Sequence, residues 1–276
     1  VKPTQRTVDG IEQCFICIDN KHKLELLTRF LEVEKMDATI VFTRTKHASE
    51  ELAQRLQARG YSVSALNGDM NQAAREKVIG RIKNGALDIV VATDVAARGL
   101  DVTRMSHVIN YDIPCDVESY IHRIGRTGRA GREGKAILFV TPRERRLLSD
   151  IERSMPNSIK LIEPPSLQQM TEKRVSDLTG KISSIVANSK KLGPYYKMVT
   201  NIVETTDLCA EDVCAALAHL LQQGNPLPSY ELQPAMLEAP QQRRRSRDRH
   251  RNRNRGHARA YHDSRGFRQR KKKQKQ

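Results

Sequence analysis

The chain has 276 residues, of which 38 % are hydrophobic, and it carries a formal net charge of +16 at pH 7. Its hydrophobic fraction is large enough for a folded core in one large domain or two small ones. The sequence contains no run of 18 apolar residues and no charged-then-apolar leader, which argues against a membrane span or a secretory signal and favours a cytoplasmic location. Because the chain begins with Val1, we expect an N-terminal part of the gene product to precede it.

Segments with the patterns of strands and helices alternate along the first 155 residues. In the segment 46–58, for example, Ala48, Leu52 and Leu56 recur every four residues, and Gly60 follows as a stop signal. Alternation of this kind predicts a parallel sheet with helices on both faces. We predict strands at 11–18, 38–43, 61–66, 87–92, 106–111 and 135–140, and helices at 21–35, 46–58, 71–83, 116–124 and 142–153.

The pattern changes after residue 155. Pro164 and Pro165 mark a boundary that a helix does not cross readily, so we interpret 156–165 as a linker. Residues 166–225 carry apolar positions at helical spacing, such as Val175, Leu178 and Ile182, and predict a small helical module. Its last segments hold more apolar residues than three short helices readily bury, which indicates self-association as a homodimer.

Most of the net positive charge lies near the end of the chain. Residues 241–276 hold 12 Arg and 4 Lys against 2 Asp, and the run 243–255 has almost no apolar residue to bury. We therefore predict that 226–276 is a disordered Arg/Lys-rich tail. Such a tail holds a polyphosphate backbone by counterion release, and the alternative is that it only keeps the protein in solution.

Five cysteines, an odd number in a chain of this size, indicate reduced thiols. Cys14 and Cys17 form a C-x-x-C pair within an apolar segment. A zinc site needs two more ligands of similar spacing, which Cys115, Cys209 and Cys214 do not supply. We therefore predict no metal site and expect the pair to pack inside a strand.

Two motifs indicate chemistry. The run HRIGRTGR at 122–129 places arginines on a glycine-punctuated turn, where forked guanidinium donors suit phosphate, although a solvated basic loop is the alternative. The run DIVVATDVAARGLD at 88–101 is an apolar strand that ends abruptly in polar residues. In open parallel α/β sheets, ligands bind at the carboxyl ends of the strands.

Two further runs, IVFTRTK at 40–46 and NGDMNQAAR at 67–75, complete a set of four motifs in order. Together they resemble motifs IV, GD/QxxR, V and VI of the C-terminal RecA-like lobe of DEAD-box RNA helicases, over residues 10–150. Asn67 stands where the family more often has histidine. The resemblance implies an α/β RecA-like domain at 11–155, preceded by a linker at 1–10 from an N-terminal lobe. The helical module resembles the one that follows the core in the bacterial cold-shock DeaD subgroup, where it is associated with dimerisation.

The resemblance also implies roles for individual residues. Arg126 and Arg129 match the arginine fingers that reach the γ-phosphate of ATP bound to the other lobe, whereas the alternative is structural pairing with a carboxylate. Asp101 matches the acceptor for the ribose hydroxyl, and Gly99 allows close backbone approach. His122 and Arg123 are expected between the lobes. The residues expected to contact RNA are Thr43, Arg44, Gly68, Asp69, Gln72, Arg75, Thr93, Asp94 and Arg98, with the alternative that Asp69 caps the helix opening near Asn71.

No phosphate-binding GxxxxGK[ST] loop and no Asp-Glu-Ala-Asp run occur in the sequence. The ATP cofactor and its Mg²⁺ are therefore expected on an N-terminal RecA-like lobe, and we expect this chain alone to be inactive as an ATPase. The alternative function is a non-enzymatic, multimerising RNA-binding or annealing module. A DNA translocase is disfavoured by the combination of the two main motifs. The subgroup resemblance implies roles in ribosome assembly and low-temperature RNA remodelling.

Overall fold

A computed structural model of the protein describes residues 10–188, 192–222 and 232. The predicted linker at 1–10, apart from Gly10, and the predicted tail at 226–276, apart from Leu232, lie outside the described residues. The strands are β1 Ile11–Cys17, β2 Ala38–Phe42, β3 Val63–Leu66, β4 Ile89–Ala92, β5 Met105–Asn110, β6 Gly134–Val140 and β7 Lys160–Leu161. The helices are α1 Lys23–Val33, α2 Lys46–Gln57, α3 Gln72–Lys83, α4 Asp94–Ala97, α5 Val117–Ile124, α6 Arg145–Ser154, α7 Leu167–Ala187, α8 Gly193–Thr205 and α9 Ala210–Gln222.

The strands form one parallel sheet in the order β3-β4-β2-β5-β6-β1-β7. The predicted α/β fold class is confirmed, and the six predicted strands and five predicted helices of the first 155 residues are observed with small differences at their ends. Sequence reasoning missed β7, α4 and the 3₁₀ turns at Asn20–His22 and Arg129–Gly131. Each is four residues or shorter, too short for a hydrophobic period to appear.

Apolar side chains fill both faces of the sheet. All five residues of β2 are buried, as expected for a central strand covered on both sides. Ile40 and Phe42 belong to the hydrophobic cluster on one face, whereas Val41 belongs to the cluster on the other. Leu52 and Leu56 of α2 pack into the second cluster, as their spacing predicted. The sheet is therefore covered by packed apolar side chains on both faces, and the loops that follow its strands start from this core.

The five cysteines are thiols rather than halves of disulfides, and Cys14 and Cys17 are buried in β1. Within the described ranges, no group of three or more His, Cys, Asp or Glu side chains is arranged to hold a metal ion. None of the helices that the structure describes is both long enough and apolar enough to cross a membrane.

The helical module is joined to the sheet domain through α7. Ser166 and Gln169 form a reciprocal capping box at its start, and Met170 is buried. Arg174 forms an ion pair with Glu32 of α1, in which its Nη2 lies 2.9 Å from Oε2. The three helices and the segment between α8 and α9 leave many large apolar side chains exposed, namely Val175, Ile182, Ile185, Val186, Tyr195, Tyr196, Met198, Leu208, Leu217, Leu220 and Leu221. We call this set the apolar face of the helical module.

Candidate functional site

Three strands end side by side at the carboxyl edge of the sheet. Phe42 and Leu66 are both in register with Ala92, so β2, β3 and β4 finish at one level. The segments that follow these strands therefore form one surface, which we call the carboxyl edge. They carry all nine residues predicted to contact RNA: Thr43, Arg44, Gly68, Asp69, Gln72, Arg75, Thr93, Asp94 and Arg98.

The residues that follow β2 and β4 differ in how far they reach solvent. Arg44 is exposed, and its Nη2 lies 3.4 Å from Oε1 of Glu144. Thr43 is only 1 % exposed, and its hydroxyl faces the carbonyl of Thr45 at 3.4 Å. The hydroxyl of Thr43 is thus turned inward, which corrects the expectation that it contacts a ligand directly. Thr93, at the end of β4, is half-buried.

The loop after β3 is organised by short side chains. Asn71 caps α3, because its side-chain oxygen accepts a hydrogen bond from the N–H of Ala74 at 2.8 Å. Asp69 is therefore not the cap, and the alternative considered for it is wrong. Its carboxylate instead accepts a hydrogen bond from Lys46 Nζ at 2.5 Å, which raises the pKa of Lys46. Lys46 is an exposed cation at this edge, and it belongs to the motif at 40–46 although we did not predict it as a contact.

Two arginines meet where α3 approaches the loop after α4. The Nη2 of Arg75 donates to the carbonyl of Arg98 at 2.6 Å, and the side chain of Arg98 is exposed. Gln72, one turn before Arg75, donates to Glu76 at 2.7 Å, and Gly68 is exposed at the start of this segment. The carboxyl edge thus presents exposed cations and backbone, together with the exposed apolar side chain of Val95.

Arg123 lies inside the lobe, whereas we had expected it on the surface between lobes. Its side chain donates to both carboxylate oxygens of Asp94, at 2.6 and 2.8 Å. It also donates to Oδ1 of Asn110 at 3.1 Å and stacks 5.0 Å from the centre of the Phe42 ring. Arg123 is only 3 % exposed. Burial of a charged group is costly unless partners satisfy it, and these hydrogen bonds supply the partners. We therefore revise its role from an inter-lobe contact to a support of Asp94. His122, next to it, is exposed, and its place between the lobes stays a prediction.

The two predicted arginine fingers lie on the turn after α5, across a cleft from Arg98 of the carboxyl edge. Helix α5 runs back across the sheet, so the turn after it lies near the amino end of β5, where the Thr127 hydroxyl donates to the carbonyl of Met105 at 2.7 Å. Gly128 turns the chain in the left-handed region with φ 67°, and Ala130 also has a positive φ of 56°. Such a conformation is uncommon for alanine and stores strain at functional loops.

Each finger arginine is held by a backbone carbonyl. Arg126 donates from Nη1 to Leu100 at 3.1 Å and from Nε to His122 at 3.2 Å. Arg129 donates from Nε to Gly125 at 2.9 Å, and its Nη1 forms an ion pair with Asp101. These bonds fix both guanidinium groups on the turn that follows α5. We call this turn, with Arg126 and Arg129, the finger loop.

The charge of the finger loop favours an anionic ligand. Burial and the positive charge of Arg129 lower the pKa of Arg126, and Asp101 offsets this only in part. A guanidinium still remains protonated at physiological pH. Two neighbouring guanidinium groups with one carboxylate leave a net positive charge that a phosphate would neutralise. The pairing of Arg129 with Asp101 matches the structural alternative stated for it, and it also brings the two residues predicted for nucleotide contact together.

A cleft of about 330 Å³ lies between the carboxyl edge and the finger loop. Gly99 lies in its wall with φ 72°, and no atom lies within 4 Å of a Cβ added there, so the backbone is accessible at this point. Arg98, Arg126 and His122 add positive or titratable groups to its rim. The cleft is lined by Phe42, Asp94, Ala97, Arg98, Gly99, Ser119, His122, Arg123 and Arg126.

Comparisons with protein families match two parts of the chain. The family described as "Helicase conserved C-terminal domain" matches residues 22–131. The family described as "RNA helicase DeaD dimerization domain" matches residues 165–231. The first match contains the carboxyl edge and the finger loop, and the second contains the helical module.

Individual relatives agree with these matches. The chain is 46 % identical over 225 residues to "ATP-dependent RNA helicase DeaD" of Escherichia coli K12, covering 80 % of this chain and 36 % of the relative. It is 45 % identical over 221 residues to the Mycobacterium tuberculosis H37Rv protein of the same name, covering 79 % of this chain and 38 % of the relative. The chain therefore spans little more than a third of the length of these curated relatives.

Solved structures share the fold of the sheet domain. The crystal structure of the E. coli DEAD-box protein SrmB bound to regulator of ribonuclease activity A is 40 % identical, with a TM-score of 0.53, and the match covers 55 % of this chain and 91 % of that one. The Saccharomyces cerevisiae Dbp5 structure bound to RNA and ADP BeF3 is 34 % identical, with a TM-score of 0.55 and coverage of 62 % and 46 %.

Proposed function

The chain belongs to the DEAD-box RNA helicase family, as the C-terminal lobe of a DeaD-type member, and from this premise we propose that it supports ATP-driven local unwinding of RNA duplexes. In this proposal the chain supplies the finger loop and an RNA-binding edge, while an N-terminal RecA-like lobe supplies the ATP site. The observation that supports it best is the arrangement of two cationic surfaces, the finger loop and the carboxyl edge, on the two sides of one cleft.

For the nucleotide half, we infer that Arg126 and Arg129 reach the γ-phosphate of ATP and stabilise charge in the transition state. Arginine fingers contribute on the order of 10³ to 10⁵ in rate. We infer that Asp101 accepts a hydrogen bond from the ribose when a nucleotide binds beside Arg129. The open backbone at Gly99 leaves room for the nucleotide. We assign the Mg²⁺ that accompanies ATP to the N-terminal lobe, because the Asp-Glu-Ala-Asp run does not occur in this sequence.

For the RNA half, we infer that Arg44, Lys46, Arg75 and Arg98 contact phosphates along the carboxyl edge. The residues Gly68, Asp69, Gln72 and Thr93 supply backbone, carboxylate, amide and hydroxyl groups for the sugar. Thr43 supports the edge from inside, whereas Asp94 is half-exposed and pairs with Arg123. Contacts of this kind position a strand without reading its bases, so binding is sequence-independent and sensitive to salt, and contacts to the 2′-hydroxyl favour RNA over DNA.

We further infer that a second copy of the chain covers the apolar face of the helical module. The helical module leaves many large apolar side chains exposed, large contiguous apolar patches are rare on monomers, and the matched family is described as a dimerisation domain. The residues 226–276 would add affinity for RNA without sequence preference.

We also propose a cytoplasmic location and a part in ribosome assembly and cold adaptation, in line with the DeaD subgroup.

The alternative, a multimerising RNA-binding or annealing module without catalysis, rests on the apolar face and the basic tail. The two proposals differ in ATP turnover. With single-stranded RNA and ATP, we expect the chain alone to show no hydrolysis above background, because its sequence carries no phosphate-binding loop. Addition of an N-terminal lobe from a DeaD relative is expected to restore RNA-stimulated hydrolysis. Continued absence of ATP hydrolysis, together with tight RNA binding, would favour the annealing module.

A further inference from the structure

Asp112, two residues after β5, joins three elements of the sheet domain. Its N–H donates to the carbonyl of Phe42 at 3.1 Å, at the end of β2. Its carboxylate accepts the N–H of Arg44 at 2.9 Å and lies 3.3 Å from Nζ of Lys23. Its carbonyl accepts Nη1 of Arg123 at 2.6 Å. A single residue thus uses its amide, its carboxylate and its carbonyl to hold β2, α1 and α5.

The carboxylate of Asp112 is held in place by a buried ammonium. Lys23 is 1 % exposed, and its Nζ also donates to the carbonyl of Tyr111 at 2.7 Å and lies 5.5 Å from the centre of the Tyr111 ring. Burial of a charge is costly without a partner, so Lys23 needs the carboxylate of Asp112 nearby. That requirement fixes the carboxylate, whose other oxygen orients the backbone of Arg44.

A short series of hydrogen bonds leads from Asp112 to the finger loop. Arg123, whose side chain binds the carbonyl of Asp112, accepts the N–H of Arg126 on its own carbonyl at 3.0 Å. Arg44 lies on the carboxyl edge and Arg126 on the finger loop. Asp112 is therefore bonded directly to the first surface and through one residue to the second.

We propose that Asp112 is a positioning residue that aligns the RNA-binding carboxyl edge with the finger loop. It acts through Arg44 and Arg123 and contacts neither RNA nor nucleotide. This inference rests on the proposed RNA-binding function, which it deepens by naming how occupancy of one surface orders the other. If Asp112 only stabilised the fold, its substitution would lower stability without separating the responses of the two surfaces.

The test is amide hydrogen exchange of the full chain with and without a single-stranded RNA, for the wild type, Asp112→Asn and Asp150→Asn. Asparagine keeps the size of the side chain and removes the charge that binds Lys23 and Arg44. Asp150 is a matched control, because it lies on α6 and forms an exposed pair with Arg153. Exchange is read separately at residues 43–46, at 122–132 and elsewhere in the lobe, so binding by the basic tail does not obscure the result.

In the free wild type and in Asp150→Asn, the amide of Arg44 is expected to exchange slowly. In Asp112→Asn we expect it to exchange about tenfold faster, as the loss of a charge-assisted hydrogen bond implies. RNA is expected to slow exchange at 43–46 and at 122–132 in the wild type. In Asp112→Asn the slowing at 122–132 should be lost, while slowing remains at 43–46.

Equal slowing at 122–132 in Asp112→Asn and wild type would overturn the proposal. Absence of any slowing at 43–46 in the wild type would instead contradict the proposed RNA edge itself. Should Asp112→Asn fail to fold, Lys23→Met provides the second variant. It keeps the carboxylate of Asp112 but removes its anchor, and we expect it also to lose the response at 122–132. An unchanged response in a folded Lys23→Met would again overturn the proposal.

Discussion

The guanidinium of Arg123 donates two hydrogen bonds, of 2.6 and 2.8 Å, to the carboxylate of Asp94. Asp94 begins α4, directly after β4, and Arg123 lies in the last turn of α5. The pair therefore connects the loop that follows a sheet strand with the helix that carries the finger loop. Because Arg123 is buried and Asp94 is half-exposed, the arginine depends on the pair more than the aspartate does.

We predict that Asp94→Ala destabilises the chain by about 2 kcal/mol, since it removes charged hydrogen bonds from a buried arginine. The loss stays below that of a fully buried pair because Arg123 keeps Asn110 and because water reaches the position of Asp94. Denaturant unfolding measures the change. Asp150→Ala, which removes an exposed ion pair on α6, should alter stability by less than about 0.5 kcal/mol. Equal effects of the two substitutions would contradict the role assigned to Arg123.

Gly134→Ala tests how tightly the finger loop is packed against β6. A Cβ at this position would lie 2.5 Å from Oγ1 of Thr127 and 2.6 Å from the backbone nitrogen of Gly128. The backbone cannot move aside cheaply, so we predict a loss of about 1 to 3 kcal/mol in the free energy of unfolding. Gly80→Ala is the control, because a Cβ there meets no atom within 4 Å. It should raise stability by about 0.5 to 1 kcal/mol, as alanine does inside a helix.

Glu34 makes part of the stability depend on pH. Burial alone would raise the pKa of Glu34, but the hydrogen bonds from His107 and Lys135 outweigh burial and hold the pKa below its usual value. A carboxylate with a lowered pKa in the folded state stabilises the fold above its unfolded pKa, about 4.3, and this contribution is lost as the pH falls through the folded pKa.

We therefore predict that Glu34→Gln is less stable than the wild type at pH 7 by about 1 kcal/mol, and that the difference shrinks below about pH 4. Thermal or denaturant unfolding between pH 3 and pH 7 measures it. Glu133→Gln serves as the control, because Glu133 is exposed and forms no ion pair or side-chain hydrogen bond recorded within the described residues. A difference that does not depend on pH would contradict the pKa of Glu34 inferred here.

Self-association through the apolar face predicts sensitivity to a charge on α9. Leu221→Lys should convert the dimer to a monomer at micromolar concentration, as measured by sedimentation, because it places a charge in a desolvated interface. Leu221 is 76 % exposed in the single chain, so the substitution should leave the helix folded. Leu161→Lys, at an exposed leucine of β7, should leave the dimer intact. A wild-type monomer at this concentration would contradict the dimer outright.

The sheet was largely predictable because its central strands are short apolar runs that alternate with amphipathic helices. The hydrophobic spacing of Leu52 and Leu56, for example, placed α2 correctly against the sheet. The relation between distant residues was not predictable in the same way. Nothing in the sequence around Arg123 shows that its partner lies 29 positions earlier, so the sequence could not distinguish a buried arginine from an exposed one.

The positions of the motifs relative to one another also required the structure. Sequence reasoning placed the polar residues that follow β4 at a carboxyl end of the sheet but gave no place for the finger loop, which α5 carries to the amino end of β5, where the Thr127 hydroxyl donates to Met105. Likewise, the sequence predicts that the Thr43 hydroxyl is available to a ligand, but Thr43 is buried at the end of β2. The position of the turn after a helix depends on how that helix packs against the sheet. A short sequence motif does not determine this packing.

The central claim is that Arg126 completes an ATP site on another lobe, and the most direct measurement is RNA-stimulated hydrolysis in the presence of an N-terminal lobe, for Arg126→Ala and Arg132→Ala. Arg132 is a matched control, because it lies on the same loop with an exposed side chain. We predict that Arg126→Ala lowers turnover by about 10³-fold or more while RNA binding is retained, and that Arg132→Ala has little effect. Wild-type turnover in Arg126→Ala would contradict the claim.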